Sequence, residues 1–163
     1  MYGEVEDRWN NNVKYKTVVI GEQTWMAENL INNGDEGETF DKYAVRDHVT
    51  DMCPIGWHVP TKIEADDLIT ETGGKEIASK VLRITDEHYT LGTNASGLSL
   101  ATSYASISMS RVSLWTSAEY TSPNWLGYFC IVLYSDPRKS DIGNAVTLQE
   151  DTGNHPVRCL KTN

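Results

Sequence analysis

Hydrophobic and β-branched residues cluster in two short runs near the start of the chain, at 15–20 and 23–26. They flank Gly21-Glu22, and a two-residue loop that opens with glycine suits the type II′ turn of a β-hairpin. We therefore expect an N-terminal hairpin. Residues 32–49 lose this pattern and begin with the polar stretch NNGDEGE, which predicts a loop. Its acids do not follow the order of an EF-hand, so we expect a solvated acidic loop and no metal site.

Helical signals occupy the middle of the chain. Thr61-Lys62-Ile63-Glu64 fits a capping box, in which the Thr hydroxyl and the Glu carboxylate each bond the backbone amide of the other residue. A helix should begin at Lys62, carry Ile63 and Leu68 on an apolar stripe, and stop at 72–74, TGG. A second short helix is predicted over 75–82, where four apolar residues share one face: Ile77, Ala78, Val81 and Leu82.

The second half of the chain consists of short β-type runs separated by turn residues, at 98–102, 112–117, 127–134, 145–149 and 156–161. Along 127–134, strand alternation places Phe129, Ile131 and Leu133 on the core side. The other face is either packed under a loop or partly exposed, and it carries Tyr128, Cys130, Val132 and Tyr134. The pattern as a whole predicts an α+β fold with an N-terminal β-hairpin, two short helices and then an antiparallel sheet.

Composition narrows the class of protein. With 39% hydrophobic and 23% charged residues, the chain has the balance of a globular protein. No repeat or linker divides its 163 residues, so we expect a single domain over 1–163. The net charge of −9 opposes phosphate backbones and anionic membrane surfaces, which argues against nucleic acid as a partner. No apolar run approaches a membrane span of roughly 20 residues, and residues 1–7 do not read as a signal peptide.

Reactive side chains are few. Three cysteines, Cys53, Cys130 and Cys159, are too widely spaced for a zinc site and allow at most one internal disulfide. Cys130 is a candidate nucleophile, but no neighbouring basic residue lowers its pKa, and a passive thiol is the plainer interpretation. The chain lacks GxSxG, HExxH and Cys-His signatures, and the acids Asp66 and Asp67 fit a solvated helix face. We expect no catalytic residue, cofactor or metal.

The strongest candidate for binding lies between residues 120 and 134. Flat amphipathic rings and an amide are the groups that stack on sugars and form hot spots in protein interfaces. This segment holds five of them: Tyr120, Asn124, Trp125, Tyr128 and Tyr134. The alternative is that these rings simply cover the sheet. Trp115, which is embedded in an apolar strand pattern, is expected in the core.

Five stretches, taken in order, resemble the Fibrobacter succinogenes major paralogous domain family. They are residues 15–30 (YKTVVIGEQTWMAENL), 53–61 (CPIGWHVPT), 96–99 (SGLS), 114–119 (LWTSAE) and 157–160 (VRCL). The resemblance implies a C-type-lectin-like fold, shared distantly with formylglycine-generating enzymes, on a secreted or lipid-anchored bacterial protein without established enzymatic activity. Any lipid anchor would lie upstream of this chain. The EPN and QPD tripeptides of calcium lectins are missing, so calcium-dependent sugar binding is not expected.

The resemblance also places Cys53 and Cys159 at positions shared by the family, and we expect them to form a disulfide. The alternative is two buried free thiols in a protein of the cytosol. A loop of about 100 residues closed in this way contributes on the order of 4 to 5 kcal/mol in the chain-entropy account. Such a bond implies an oxidising compartment, which agrees with an extracellular or cell-surface location.

Three functional hypotheses follow. The leading one is a non-enzymatic surface or secreted domain that recognises a glycan or a protein through the residues between Tyr120 and Tyr134. The second is a structural or assembly module of a cell-envelope lipoprotein, with no small-molecule site. The third is an oxidoreductase or hydrolase like the formylglycine-generating enzymes, which requires Cys130 to lie near another cysteine or a histidine in a cleft.

Overall fold

The computed structural model describes residues 2–8, 10–32, 38–75, 77–84, 92–101, 104–105, 110–122, 125–135, 145–151 and 153–163. For the second-half strands, only the backbone is described at 104–105, 110, 120–122, 125–130, 133–135 and 145–151.

The described part of the chain is α+β, with few short helices and antiparallel sheet, as expected. One sheet has the order β1-β2-β3-β9-β4, with β1 Tyr2–Asp7, β2 Val13–Ile20, β3 Gln23–Met26, β4 Trp57–His58 and β9 Leu160–Lys161. The second has the order β5-β6-β7-β8, with β5 Tyr104–Ala105, β6 Ser110–Ser122, β7 Trp125–Ser135 and β8 Ala145–Asp151. The helices are α1 Lys42–His48, α2 Lys62–Glu71 and α3 Ala78–Leu82.

The predicted hairpin is confirmed and gains a third strand. Strands β2 and β3 pair up to Ile20 and Gln23, and Gly21 adopts a φ of +58° in the turn. Before them, β1 pairs with β2 over its whole length. The connection uses Asn11 and Asn12 at positive φ, a conformation that asparagine tolerates better than most residues. Strand β1 is an edge strand with mostly exposed side chains, so it has no apolar pattern that would predict it.

The loop predicted over 32–49 is wrong in its second half, because α1 forms there. Asp41 caps this helix by accepting a hydrogen bond from the Ala44 amide at 2.7 Å. Val45 is its buried apolar residue, and one such residue is too few to give a helical period. The burial of Val45 in the core and the Asp41 cap together stabilise this helix.

Helix α2 begins at Lys62 with the predicted capping box and ends before Gly73 and Gly74, both at positive φ. Its predicted apolar stripe is wrong at Ile63, which is 73% exposed, because the buried residues are Ala65, Leu68 and Ile69. Helix α3 is shorter than predicted and buries Ala78, Ser79 and Leu82. Ile77 precedes it and is half exposed, so the predicted face is rotated away from Ile77.

Two clusters of buried apolar side chains lie on opposite faces of the β6–β7 pair. Leu114 and Ile131 belong to the first cluster, whereas the neighbouring Trp115 and Val132 belong to the second. Since successive residues of a strand point to opposite faces, both faces are buried at this level. Trp115 is in the core as predicted, and the second face of β7 is packed at Val132.

Two of the predicted strands, 98–102 and 156–161, form only short elements in the described part of the chain. Leu100 makes a single bridge with Arg83, and the last strand is limited to Leu160–Lys161. Residues 156–159 nevertheless run between other segments: Trp115 donates to the Pro156 carbonyl at 3.0 Å, and Leu30 donates to the Val157 carbonyl at 2.9 Å. The apolar run at 156–161 therefore corresponds to a buried extended segment that pairs with several segments and not with one partner strand.

Cys53 and Cys159 form the expected disulfide, across a sequence separation of 106 and a Cα–Cα distance of 5.9 Å. Cys159 is fully buried in the second cluster. The bond joins the segment that precedes β4 to the end of the chain.

Arg158, beside this bond, is 3% exposed. Its guanidinium donates to Asn29 Oδ1 at 2.6 Å and to the Leu98 and Ser99 carbonyls at 3.1 and 3.3 Å. A fourth bond reaches the Met26 carbonyl at 3.4 Å. Burial lowers the pKa of Arg158 to about 10, although the negative charges of Glu38 and Glu28 act to raise it. One side chain thus links its own segment to two others, 26–29 and 98–99.

Removing the disulfide should strongly destabilise the protein. We expect the double substitution Cys53→Ser, Cys159→Ser to lower the free energy of unfolding by about 4 to 5 kcal/mol, because a long loop is no longer closed in the unfolded chain. Urea unfolding measures the loss. When the oxidised wild-type protein is unfolded in denaturant, one thiol, that of Cys130, should react. After reduction, three thiols should react. Three reactive thiols before reduction would contradict the disulfide.

Arg158→Met should lower the free energy of unfolding by about 2 to 4 kcal/mol, because it leaves buried carbonyl groups without donors. Arg158→Lys should lose less, since an ammonium retains some of the hydrogen bonds. The control is Arg46→Met, which removes an exposed guanidinium paired with Asp47 and should change stability by less than about 0.5 kcal/mol. Equal losses for Arg158→Met and Arg46→Met in urea unfolding would refute the structural role of Arg158.

Candidate functional site

The predicted binding residues belong to the β6–β7 hairpin and its surroundings. Asn124 lies outside the described residues, and so do the side chains of Tyr120, Trp125, Tyr128 and Tyr134. The backbone register is described. It sets Ser122 opposite Trp125, Tyr120 opposite Gly127, Glu119 opposite Tyr128, and Arg111 opposite Tyr134.

This register separates the predicted residues. Residues opposite one another in an antiparallel pair share a face of the sheet, and faces alternate along each strand. Tyr120 and Trp125 therefore occupy the same face, whereas Tyr128 occupies the other face. Tyr134 is on the Tyr128 face but six residues further along β7, roughly 20 Å away at about 3.4 Å per residue. Among the four predicted residues whose backbone is described, the register brings together Tyr120 and Trp125.

A register shift separates this end of the hairpin from the buried part. Trp115 lies opposite Cys130 and Glu119 opposite Tyr128, so three β6 residues face one β7 residue. At the shift, the Ser117 amide donates to the Pro60 carbonyl at 2.8 Å, which docks β6 on the segment before α2. Bulges of this kind bend a strand and re-aim its side chains. The sequence contains no glycine or proline between Trp115 and Glu119 that would indicate the shift.

A second arrangement of polar groups surrounds His58, at a groove of about 670 Å³ between the β2–β3 turn, α2 and the last residues. The Nε2 atom of His58 lies 2.9 and 3.0 Å from the two carboxylate oxygens of Glu64. Its Nδ1 atom lies 3.0 Å from the hydroxyl of Thr162. The ring therefore links the N-terminus of α2 to the end of the chain.

Glu64 is the centre of this arrangement. Its Oε2 atom accepts hydrogen bonds from both the amide and the hydroxyl of Thr61 at 2.8 Å. Burial raises the pKa of the Glu64 carboxyl, but the bonds from Thr61 and His58 together bring it below its usual value. A hydroxyl, an imidazole and a carboxylate in series are the parts of a nucleophilic triad. Here the carboxylate also completes the capping box, so the arrangement serves the helix start.

Three further features bear on metal binding, membrane insertion and the reactivity of Cys130. Within the described residues, no group of three or more His, Cys, Asp or Glu side chains is arranged to hold a metal. None of the helices in the described part of the chain is long and apolar enough to cross a membrane. Cys130 pairs through its backbone with Trp115 and Gln149, and its side chain lies outside the described residues.

Glu64→Gln should destabilise the protein by about 1 kcal/mol at neutral pH, the usual value of a helix cap. The pKa of Glu64 is lowered in the folded protein, so its ionised form stabilises the fold above the unfolded value near 4.5. That stabilisation disappears as the pH falls through the lower folded value. In urea unfolding, the wild type and Glu64→Gln should therefore differ at pH 7, and the difference should shrink as the pH is lowered below 4.5. The control Glu22→Gln should differ from wild type at neither pH; a constant gap for Glu64→Gln would contradict the ionic role.

No family model, curated protein or solved structure matches this chain. The resemblance to the Fibrobacter succinogenes major paralogous domain family therefore stays a prediction.

Proposed function

We propose that this chain is a single C-type-lectin-like domain of the Fibrobacter succinogenes major paralogous domain family. Three observations support the proposal. The five sequence stretches occur in the family's order, the Cys53–Cys159 disulfide joins the two positions the resemblance singles out, and a capped helix follows CPIGWHVPT directly. The α+β class with antiparallel sheet is compatible with this fold.

The proposed function is non-enzymatic recognition of a glycan or a protein. The observation that carries it is the register of the β6–β7 hairpin, which brings Tyr120 and Trp125 onto one face at its end. Both faces of the hairpin are buried near Trp115 and Val132. Beyond the register shift, β6 and β7 remain paired from Glu119 and Tyr128 to Ser122 and Trp125. Two aromatic residues on one face of a hairpin end are of the kind that stacks on a sugar or anchors a protein partner.

The proposed location is the bacterial cell surface or the extracellular space. The disulfide supports it, because such bonds persist in oxidising compartments and are rare in the cytosol. The alternative function is a structural or assembly module of a cell-envelope lipoprotein, in which the hairpin would contact only other parts of the same assembly.

Trp125→Ala should abolish binding on an array of glycans and host proteins while the melting temperature stays within a few degrees. The oxidised protein is screened with and without calcium. The matched control is Tyr43→Ala, which removes an exposed ring from α1 and should leave binding intact. A collapse of stability in Trp125→Ala would identify this ring as core. No binding by the folded, oxidised protein would favour the structural module.

A further inference from the structure

Strand β1 forms one edge of the first sheet, with β2 as its neighbour. The two strands pair without a register shift from Tyr2 opposite Val18 to Asp7 opposite Val13. In an antiparallel pair, alternate residues direct their backbone N–H and C=O groups away from the partner strand. Within the described residues, these outward groups of residues 2–6 have no hydrogen-bond partner. The edge therefore carries unpaired backbone groups with which another strand can pair.

Charge is the device that protects this edge. Proteins also protect edge strands with proline, with bulges or with a covering element. Strand β1 contains no proline, its register has no bulge, and none of the described strands other than β2 pairs with it. Glu4 and Glu6 lie on one face of the strand with exposed side chains. Neither side chain makes an ion pair or a hydrogen bond with a described residue, so both carboxylates are available to a partner.

Strand β2 shows which side chains suit a neighbour of β1. Its Lys14 lies opposite Glu6, and its Lys16 lies opposite Glu4. Between the two lysines, Tyr15 points to the other face and is buried. Opposite charges at directly opposed positions stabilise an antiparallel pair, and like charges destabilise it. A strand added on the outer edge meets the same two glutamates, so an alternation of basic and apolar residues suits it as well.

Charge also argues against a second copy of this chain at the edge. When two copies of β1 pair antiparallel about Glu4, this residue faces the same residue of the other copy. When they pair about Val5, Glu4 faces Glu6 of the other copy. Both registers oppose like charges, which destabilises the pair. The net charge of −9 adds to the repulsion between copies. A basic segment is attracted where a second copy is repelled.

An exposed apolar residue lies beside the end of the edge. Ile55 is 75% exposed, and it lines a pocket of about 250 Å³ together with Glu6 and Arg8. Strand addition takes its affinity from main-chain hydrogen bonds and its specificity from pockets for alternate side chains. A pocket of this size holds one apolar side chain. Since Arg8 is itself basic, the basic positions of an added strand are those beside Glu4 and Glu6.

We infer that the edge of β1 binds an extended segment of a partner protein in which basic residues alternate with apolar ones. The segment pairs antiparallel with β1, and its backbone satisfies the outward N–H and C=O groups of residues 2–6. Its basic side chains lie beside Glu4 and Glu6, and an apolar side chain covers Ile55. This surface is separate from the hairpin site and does not depend on the proposed function.

The test titrates the isotope-labelled, oxidised full chain with short capped peptides and follows the backbone amides by NMR. The probe is VKYKTV, the sequence of residues 13–18 in β2. It should saturate the protein in the millimolar range and shift the amides of residues 3–6. The charge-reversed peptide VEYETV should bind at least about tenfold more weakly, because two attractive pairs become repulsive. Equal affinities for the two peptides, or no saturation by VKYKTV, would overturn the inference.

N-methylated forms of the probe test whether it pairs through its backbone. One form is methylated at its first Val, its Tyr and its Thr, and the other at both Lys and the last Val. Each form lacks one alternate set of amide donors, and only one set faces β1 in an added strand. One form should therefore lose binding while the other retains it. Equal behaviour of the two forms would contradict strand addition.

Variants of the protein localise the surface. The double substitution Glu4→Gln, Glu6→Gln should weaken binding of VKYKTV about fivefold and remove most of its preference over VEYETV. The matched control Glu22→Gln, Asp67→Asn removes two exposed carboxylates elsewhere and should bind like wild type, as should Trp125→Ala in the hairpin. Equal losses in the two double variants would reduce the effect to net charge and refute the site. Shifts at residues 3–6 that grow with protein concentration, without peptide, would assign the edge to a second copy instead.

Discussion

The backbone of residues 155–162 is hydrogen-bonded to segments that are distant in the sequence. His155 pairs with Phe40, and the carbonyls of Pro156, Val157 and Cys159 accept from Trp115, Leu30 and Met26. Leu160 then joins β3 to β4, and the Thr162 amide reaches the Gly56 carbonyl. Closing so many long loops is entropically unfavourable. The disulfide and the buried guanidinium of Arg158 hold this segment where those bonds can form.

Trp115 connects the two sheets through the same segment. Its amide bonds to Pro156, its indole donates to the Phe40 carbonyl at 2.7 Å, and its ring meets the His155 ring edge-on at 4.8 Å. The next residues of β6 bend at the register shift and dock on Pro60. The long hairpin is therefore anchored at its base by a buried aromatic residue.

The proposed hairpin site uses this frame. The hairpin site takes two aromatic residues from adjacent strands, and their proximity depends on the register beyond the shift. Rigid support of this kind reduces the ordering cost of binding. In the His58 arrangement, in contrast, the polar groups are bonded to one another, with Glu64 bound to both His58 and the Thr61 amide of the helix cap.

Features that depend on adjacent residues were accessible from the sequence by itself: the β2–β3 hairpin at Gly21, the start of α2 at Thr61, and the central strands of the second half. Their signals are backbone conformation, local hydrogen bonds and apolar period, which a few neighbouring side chains supply. The tertiary structure alone decided β1, α1, the exposure of Ile63 and the separation of Tyr128 from Trp125. Edge pairing, burial of single residues such as Val45, and strand register all depend on partners far along the chain.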